Sequence, residues 1–358
     1  MPRRHQVLVA LSITGALLAL LAFGFRWFMQ QPLYQPGMAR ALVQLGTPVA
    51  TATVADSEAW QVEPGISLAH FEVGTGRPVL VVHGGPGIPF RQPMAGLLPL
   101  TERYRFYYYD QRGCGRSTRP FERFVDGSFR KNFRTLESKL GLGAQIADIE
   151  RIRQALAEEK LVLIGHSFGA LIASLYAAEF PDHVAALIPI APANLLVMPP
   201  PGGGLFADMD QLLPAPSRDE YRAYIAEYLD FQKLFKRTES EASQLNAQLG
   251  RFFVEAARKR GFAVPIASAA ETESWGGFMV QAMYLSMGRR HDYRPAVRVV
   301  TAPVLVLHGA NDLQSESVSR SFAQAFPNAH FEVTPNAGHL PFADAPKLFA
   351  ELVGKVLG

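Results

Sequence analysis

The sequence predicts an α/β fold, a mostly parallel sheet with helices on both faces and a helical cap inserted into it. Three observations predict it. Short apolar runs rich in β-branched and aromatic residues alternate with helical patterns along most of the 358 residues. Those runs are hydrophobic on both faces, as strands are when helices cover a sheet from both sides. Between residues 192 and 295 the strand rhythm stops, and the chain turns helical after the run Pro199-Pro200-Pro201-Gly202-Gly203-Gly204.

Residues 6–25 are uncharged and apolar, bounded by Arg3 and Arg4 on one side and Arg26 on the other. Twenty residues of helix span about 30 Å, the thickness of a bilayer's hydrocarbon core. Residues 1–28 therefore read as a transmembrane signal anchor, and the positive flank before the run puts the rest of the chain outside the cytoplasm. The alternative is secretion after cleavage near Ala22-Phe23-Gly24, although the apolar run exceeds the roughly 7–15 residues of a usual signal core. Residues 29–59, with Pro32, Pro36, Gly37 and Pro48, read as a stalk or an irregular lead-in. A core then spans 60–191 and 296–358 around a cap at 192–295. It opens with a hairpin, 60–62 and 66–73, about the turn Glu63-Pro64-Gly65. Further strands are expected at 79–82, 105–109, 161–164, 185–190, 304–307 and 330–333. A helix over 144–157 puts Ile146, Ile149, Ile152 and Leu156 on one face, and cap helices are expected at 221–234 and 239–259.

Composition removes several functions. A hydrophobic fraction of 48% and a charged fraction of 19% exclude wholesale disorder. Cys114, the only cysteine, leaves no internal disulfide, no thiol-rich zinc site and no redox pair. Arg3, Arg4 and Arg26 account for the whole formal charge of +3, so the remaining chain is neutral and lacks the basic footprint of a nucleic-acid binder. There is no phosphate-binding loop, no dinucleotide fingerprint and no zinc-protease motif, so neither cofactor nor metal is expected.

The chemistry lies in a constellation. Residues 161–164 run into Gly165-His166-Ser167-Phe168-Gly169 and then a helical pattern, the strand-turn-helix context of a nucleophile elbow. A serine hydroxyl needs a base to take its proton, and the base needs an orienting carboxylate. Asp312 ends the turn after the strand at 304–307, and His339 follows the next strand on Thr334-Pro335-Asn336-Ala337-Gly338. Nucleophile, acid and base thus come in the chain order Ser167, Asp312, His339 that this architecture requires. His308 sits at a strand end and reads as structural. His83-Gly84-Gly85-Pro86-Gly87, directly after the strand at 79–82, supplies backbone donors for a developing oxyanion, with the N–H groups of Gly85 and Phe168 the expected pair. In Asp110-Gln111-Arg112-Gly113-Cys114-Gly115-Arg116-Ser117, Asp110 and Arg112 are expected to brace that loop, and Cys114 to pack without a base partner.

His-Gly-Gly-Pro-Gly at 83–87, Asp-Gln-Arg-Gly-Cys-Gly-Arg-Ser at 110–117, the elbow, Asp312 and His339 together resemble the proline iminopeptidase family of α/β-hydrolases, over residues 60–190 and 296–358 and weakly across the cap. The resemblance implies the α/β-hydrolase fold and release of an N-terminal residue, often proline, from a small peptide or other acyl substrate through an acyl-enzyme. Ser167 would be the nucleophile, Asp312 the acid and His339 the base. Family members commonly carry Gly-Gly-Ser-Trp-Gly at the elbow, where this chain has His166 and Phe168. Recognition of a free amine calls for a carboxylate in the cap, and Glu271 and Glu273 beside Trp275 are the candidates. An esterase, a lactonase or a carbon–carbon bond hydrolase would use the same three residues, and a non-catalytic ligand-binding protein is the reading from another class.

Overall fold

The computed structural model describes residue 27 and residues 30–45, 58–200, 203–262, 264 and 268–358. Helix α1 (Met38–Leu45) precedes the hairpin β1 (Ala59–Glu63) and β2 (Ile66–Gly74), which pair antiparallel. Then come β3 (Arg77–Val82), β4 (Tyr104–Tyr109), α2 (Phe129–Leu140), α3 (Leu142–Ala155), β5 (Leu161–His166), α4 (Phe168–Glu179) and β6 (Val184–Ile190). An excursion follows through β7 (Val197–Met198), α5 (Gly204–Leu212), α6 (Ala215–Tyr228), α7 (Glu239–Lys259), α8 (Ala269–Glu273), α9 (Phe278–Met287) and β8 (His291–Asp292). The chain returns by α10 (Arg294–Val297) to β9 (Val304–Gly309), α11 (Glu316–Gln324), β10 (Ala329–Thr334), α12 (Pro341–Asp344) and α13 (Pro346–Leu357).

The main sheet has the strand order β1-β2-β4-β3-β5-β6-β9-β10. Every pairing from β4 to β10 is parallel, so these strands deliver their C-terminal ends to one edge of the sheet. Successive residues of a strand point to opposite faces. In β3, Val79 and Val81 enter one apolar layer while Leu80 and Val82 enter the other. In β5, Val162 and Ile164 separate from Leu161 and Leu163 in the same way. The first layer is closed by α12 and α13 through Phe342, Phe349 and Val353, and the second by α3 and α4. Helix α4 is buried along its whole length, which its sequence Ala170-Leu171-Ile172-Ala173 permits because it offers no polar face.

The expected strands all form, most of them one or two residues longer than their apolar runs. Helix α6 starts earlier than expected because a helix accepts Pro216 in its first turn, where the missing N–H would have no partner. Helix α7 runs as expected, held at its start by a reciprocal pair in which Thr238 Oγ1 accepts from Glu241 N–H and Glu241 Oε2 accepts from Thr238 N–H. The ribbon β7–β8 was not legible, because two residues carry no periodicity. It ties the start of the helical excursion to its end, pairing Val197 with Asp292 and Met198 with His291.

Over 30–45 the chain is a lead-in docked on the body and not a free stalk. Tyr34 is fully buried, and its hydroxyl donates to Glu179 Oε1 at 2.6 Å. The same carboxylate receives the N–H groups of Ala39 and Arg40 at the start of α1. Leu33 and Tyr34 N–H both donate to Ser286 O on α9. Residues 30–37, with prolines at 32 and 36, form no helix or strand before α1, but side-chain and backbone hydrogen bonds dock the segment nonetheless. The apolar run at 6–25 lies outside the described residues. Among those described, no helix is long and apolar enough to cross a membrane.

Candidate active site

Ser167 stands between β5 and α4 with φ +53° and ψ −116°, a conformation that costs a non-glycine residue on the order of 1–3 kcal/mol. Its backbone is fixed on both sides, by Ser167 N–H to Ile190 O at 2.9 Å and by Ala193 N–H to Ser167 O at 3.2 Å. The flanking glycines are steric requirements. A β-carbon at Gly169 would collide with the carbonyl oxygens of Val82 and His83, and one at Gly165 would lie 2.6 Å from Gly169 O. The elbow is therefore pressed against the end of β3, where the His83-Gly84-Gly85 loop begins.

That loop lies directly on Ser167. A β-carbon at Gly84 would be 2.9 Å from Ser167 Cβ and 3.3 Å from Phe168 N. Phe168 opens α4, so its N–H is one of the donors that a helix start leaves without an intrahelical acceptor. Gly85 follows with φ +112°, a backbone that side chains rarely adopt. Its N–H enters no turn hydrogen bond among the described residues. Gly84 sets the closeness of this approach.

The loop is braced mainly by Gln111, a change from expectation. His83 Nδ1 donates to Gly84 O at 3.0 Å and His83 Nε2 accepts from Gln111 N–H at 3.1 Å, while Gln111 Nε2 donates to His83 O at 2.8 Å. Burial pushes His83 down to about 4, so the ring is neutral, as this donor-acceptor pattern requires. Arg112 instead enters a buried ion cluster with Asp148 and Glu63. Asp110 reaches the loop through Arg91 and also accepts from Arg116 N–H. Cys114 has a neighbouring imidazole after all, with Sγ 3.5 Å from His83 Nε2. Burial drives its thiol well up, and it donates to Gln111 O, so it is no nucleophile.

Asp312 and His339 meet across the adjacent parallel strands β9 and β10. His339 Nδ1 lies 2.9 Å from Asp312 Oδ2 and 3.1 Å from Oδ1. Burial is the largest influence on Asp312 and opposes ionisation, but the charge and hydrogen bond of His339, His308 and the Gln314 N–H outweigh it and hold the carboxyl below its ordinary value. His339 is joined to the elbow as well. His166 Nε2 is 2.9 Å from His339 O, and the two rings are 4.8 Å apart. His308 lies behind Asp312, with Nδ1 3.0 Å from Ser319 Oγ, in the structural role its position implies.

The cap meets the site with aromatic surface. Phe253 of α7 lies 5.5 Å from the His339 ring, Phe262 packs against Gly338, and Tyr284 of α9 lies 6.2 Å from Phe168. The segment around Trp275 lies on the glycine loop, with Gly276 N–H donating to Gly87 O at 2.8 Å. The three cap candidates do not converge on Ser167. Glu271 accepts from Ser268 N–H and Oγ at 2.7 and 2.8 Å, which is the start of α8 being capped. Glu273 is exposed, and the Trp275 indole packs over Gly250 of α7. Glu239, the buried cap carboxylate that sequence reasoning missed, is fully engaged by the N–H groups of Gly277 and Phe278 and by Arg119.

Residues 77–346 match the model of the alpha/beta hydrolase fold family. The chain belongs to that family. Among curated relatives, a proline iminopeptidase of Heyndrickxia coagulans is 24% identical over 301 residues, covering 80% of this chain and 92% of that protein. Among solved structures, an esterase from Exiguobacterium antarcticum superposes with a TM-score of 0.58 at 20% identity, over 85% of this chain and all of that one. A proline iminopeptidase of Mycobacterium smegmatis gives 0.56 at 17%, over 84% and 97%. At these identities the two structures speak to the fold alone. Within the family fold, Ser167, Asp312 and His339 all stand at the C-terminal edge of the parallel strands.

Proposed function

We propose that this protein is a serine hydrolase acting through an acyl-enzyme. Ser167 attacks the acyl carbon as His339 takes its proton, Asp312 holds the imidazole, and the N–H groups of Phe168 and Gly85 receive the oxyanion. The observation that carries this reading is the Asp312–His339 pair, bonded at 2.9 Å and fastened to His166, the residue before a strained serine.

The substrate we propose is an N-terminal residue, often proline, released from a small peptide, as in the proline iminopeptidases. The motifs at 83–87 and 110–117 support it, as does the H. coagulans relative. A second reading, an esterase, is favoured by the aromatic cap surface facing His339 and Phe168 and by the engagement of Glu271 and Glu239 elsewhere. An ammonium in a closed apolar site needs a carboxylate partner or suffers a large desolvation penalty. On the iminopeptidase reading, prolyl arylamide is cleaved at least about tenfold faster than its N-acetylated form, the equivalent of about 1.4 kcal/mol. Equal rates on the two, with faster turnover of short-chain esters, would transfer the assignment to the esterase.

The same proposal extends to location. The N-terminal run is an anchor that leaves the catalytic body outside the cytoplasm, and secretion after cleavage is the variant of it. Protease added to cells whose outer envelope has been opened should digest the body while a cytoplasmic marker survives. Full protection of the body would reverse the orientation.

A further inference from the structure

We propose that His166 is a positioning residue that locks the base to the nucleophile. The inference rests on the hydrolase reading above, and it concerns the residue at which this elbow differs from the glycine common in the proline iminopeptidases. The loop carrying His339 is tied down at three successive residues. Asn311 N–H donates to Ala337 O at 2.8 Å, Asp344 Oδ2 accepts from Gly338 N–H at 2.8 Å, and His166 Nε2 bonds His339 O at 2.9 Å. The first two fasten the loop to β9's turn and to α12. Only the third joins it to the elbow, one residue from Ser167, so it places nucleophile and base in a common frame.

The chemistry of the contact is unambiguous. A carbonyl oxygen only accepts, so His166 Nε2 carries the hydrogen. The ring is almost completely buried, packed edge-on against Phe342 at 5.4 Å and tilted against Phe90 at 6.2 Å. Burial first, and the neighbouring His339 second, push it down to about 3, while Asp312 and the hydrogen bond to His339 O pull the other way. The ring is therefore a neutral donor throughout the pH range in which a serine hydrolase works. Phe253 of the cap also lies against the His339 ring, 5.5 Å away, so the imidazole is in contact with both a core histidine and a cap phenylalanine. A neutral ring one residue from the nucleophile supplies rigidity and leaves the proton chemistry to His339.

The test compares four variants of the full-length protein on whichever substrate it turns over. His166→Phe keeps an aromatic ring between Phe90 and Phe342 but has no donor. His166→Asn has a donor too short to reach His339 O. His166→Gln places an amide N–H near the position of Nε2. Ser167→Ala serves as the reference. His166→Phe and His166→Asn are expected to lower kcat on the order of 100-fold with KM nearly unchanged, the cost of a base displaced by about an ångström. His166→Gln is expected to remain within a few-fold of the unsubstituted protein. Should the phenylalanine variant fail to fold, the asparagine-glutamine contrast carries the same decision. Wild-type kcat in the donor-less variants, or a glutamine variant as impaired as they are, overturns the positioning role. Activity surviving in Ser167→Ala would instead overturn the hydrolase reading itself, so the two failures are told apart.

Discussion

Replacing Ser167 with alanine is expected to lower kcat on the order of 10⁶-fold, the scale on which a serine nucleophile fails when removed. Covalent labelling by a serine-directed phosphonate should disappear with it. The size of the effect follows from the absence of a substitute. Cys114 is buried with its thiol held protonated, and the motif places no second hydroxyl at the elbow. The variant should fold, because alanine keeps the β-carbon that Gly84 accommodates and removes only the hydroxyl oxygen. Alanine also keeps the strained backbone at φ +53°, so the thermal midpoint should move little. Undiminished hydrolysis in this variant, or persistent labelling at another residue, would remove Ser167 from the mechanism.

What the sequence disclosed and what it concealed divide along a physical line. Strands buried on both faces announce themselves as continuous apolar runs, and the 161–164 run led straight to Ser167. Asp312 and His339 were legible because each follows such a run, and parallel strands put their ends at one edge. The role of His166 was hidden because its partner is a backbone carbonyl 173 residues away, which no local pattern encodes. The Gln111–His83 brace is hidden for the same reason, since it joins residues 28 positions apart and half of it runs through backbone groups. Glu271 is the opposite case. Ser268-Ala269-Ala270-Glu271 is a helix-start signature in plain view, so its carboxylate was already claimed by Ser268 before any substrate role arose. The docking of 30–45 was concealed by its prolines, which suppress periodicity without preventing burial of Tyr34. The cap's aromatic lining could not be assembled from sequence, since Phe253 and Tyr284 come from different helices and no spacing relates them.

Asparagine at position 312 is expected to lower kcat on the order of 10⁴-fold, about 5.5 kcal/mol of transition-state stabilisation, although it changes little but one terminal atom. The reason can be followed through the hydrogen bonds. Asp312 Oδ1 accepts from Gln314 N–H at 3.2 Å, while Oδ2 faces His339 Nδ1 at 2.9 Å. An amide there would keep its oxygen on the Gln314 N–H, which can only donate, and turn its NH2 toward His339. Nδ1 would then have to accept, the ring proton would move to Nε2, and the nitrogen that the proposed mechanism assigns to Ser167 could no longer take a proton. His339→Ala removes the base outright and should cost at least as much. Because Asp312 acts only through His339, the double variant should be no slower than His339→Ala alone. Single and double variants compared by kcat, with folding checked by thermal denaturation, decide the matter. Losses that multiply in the double variant would mean that Asp312 stabilises the transition state by a route independent of the imidazole, which the bonded pair gives no reason to expect.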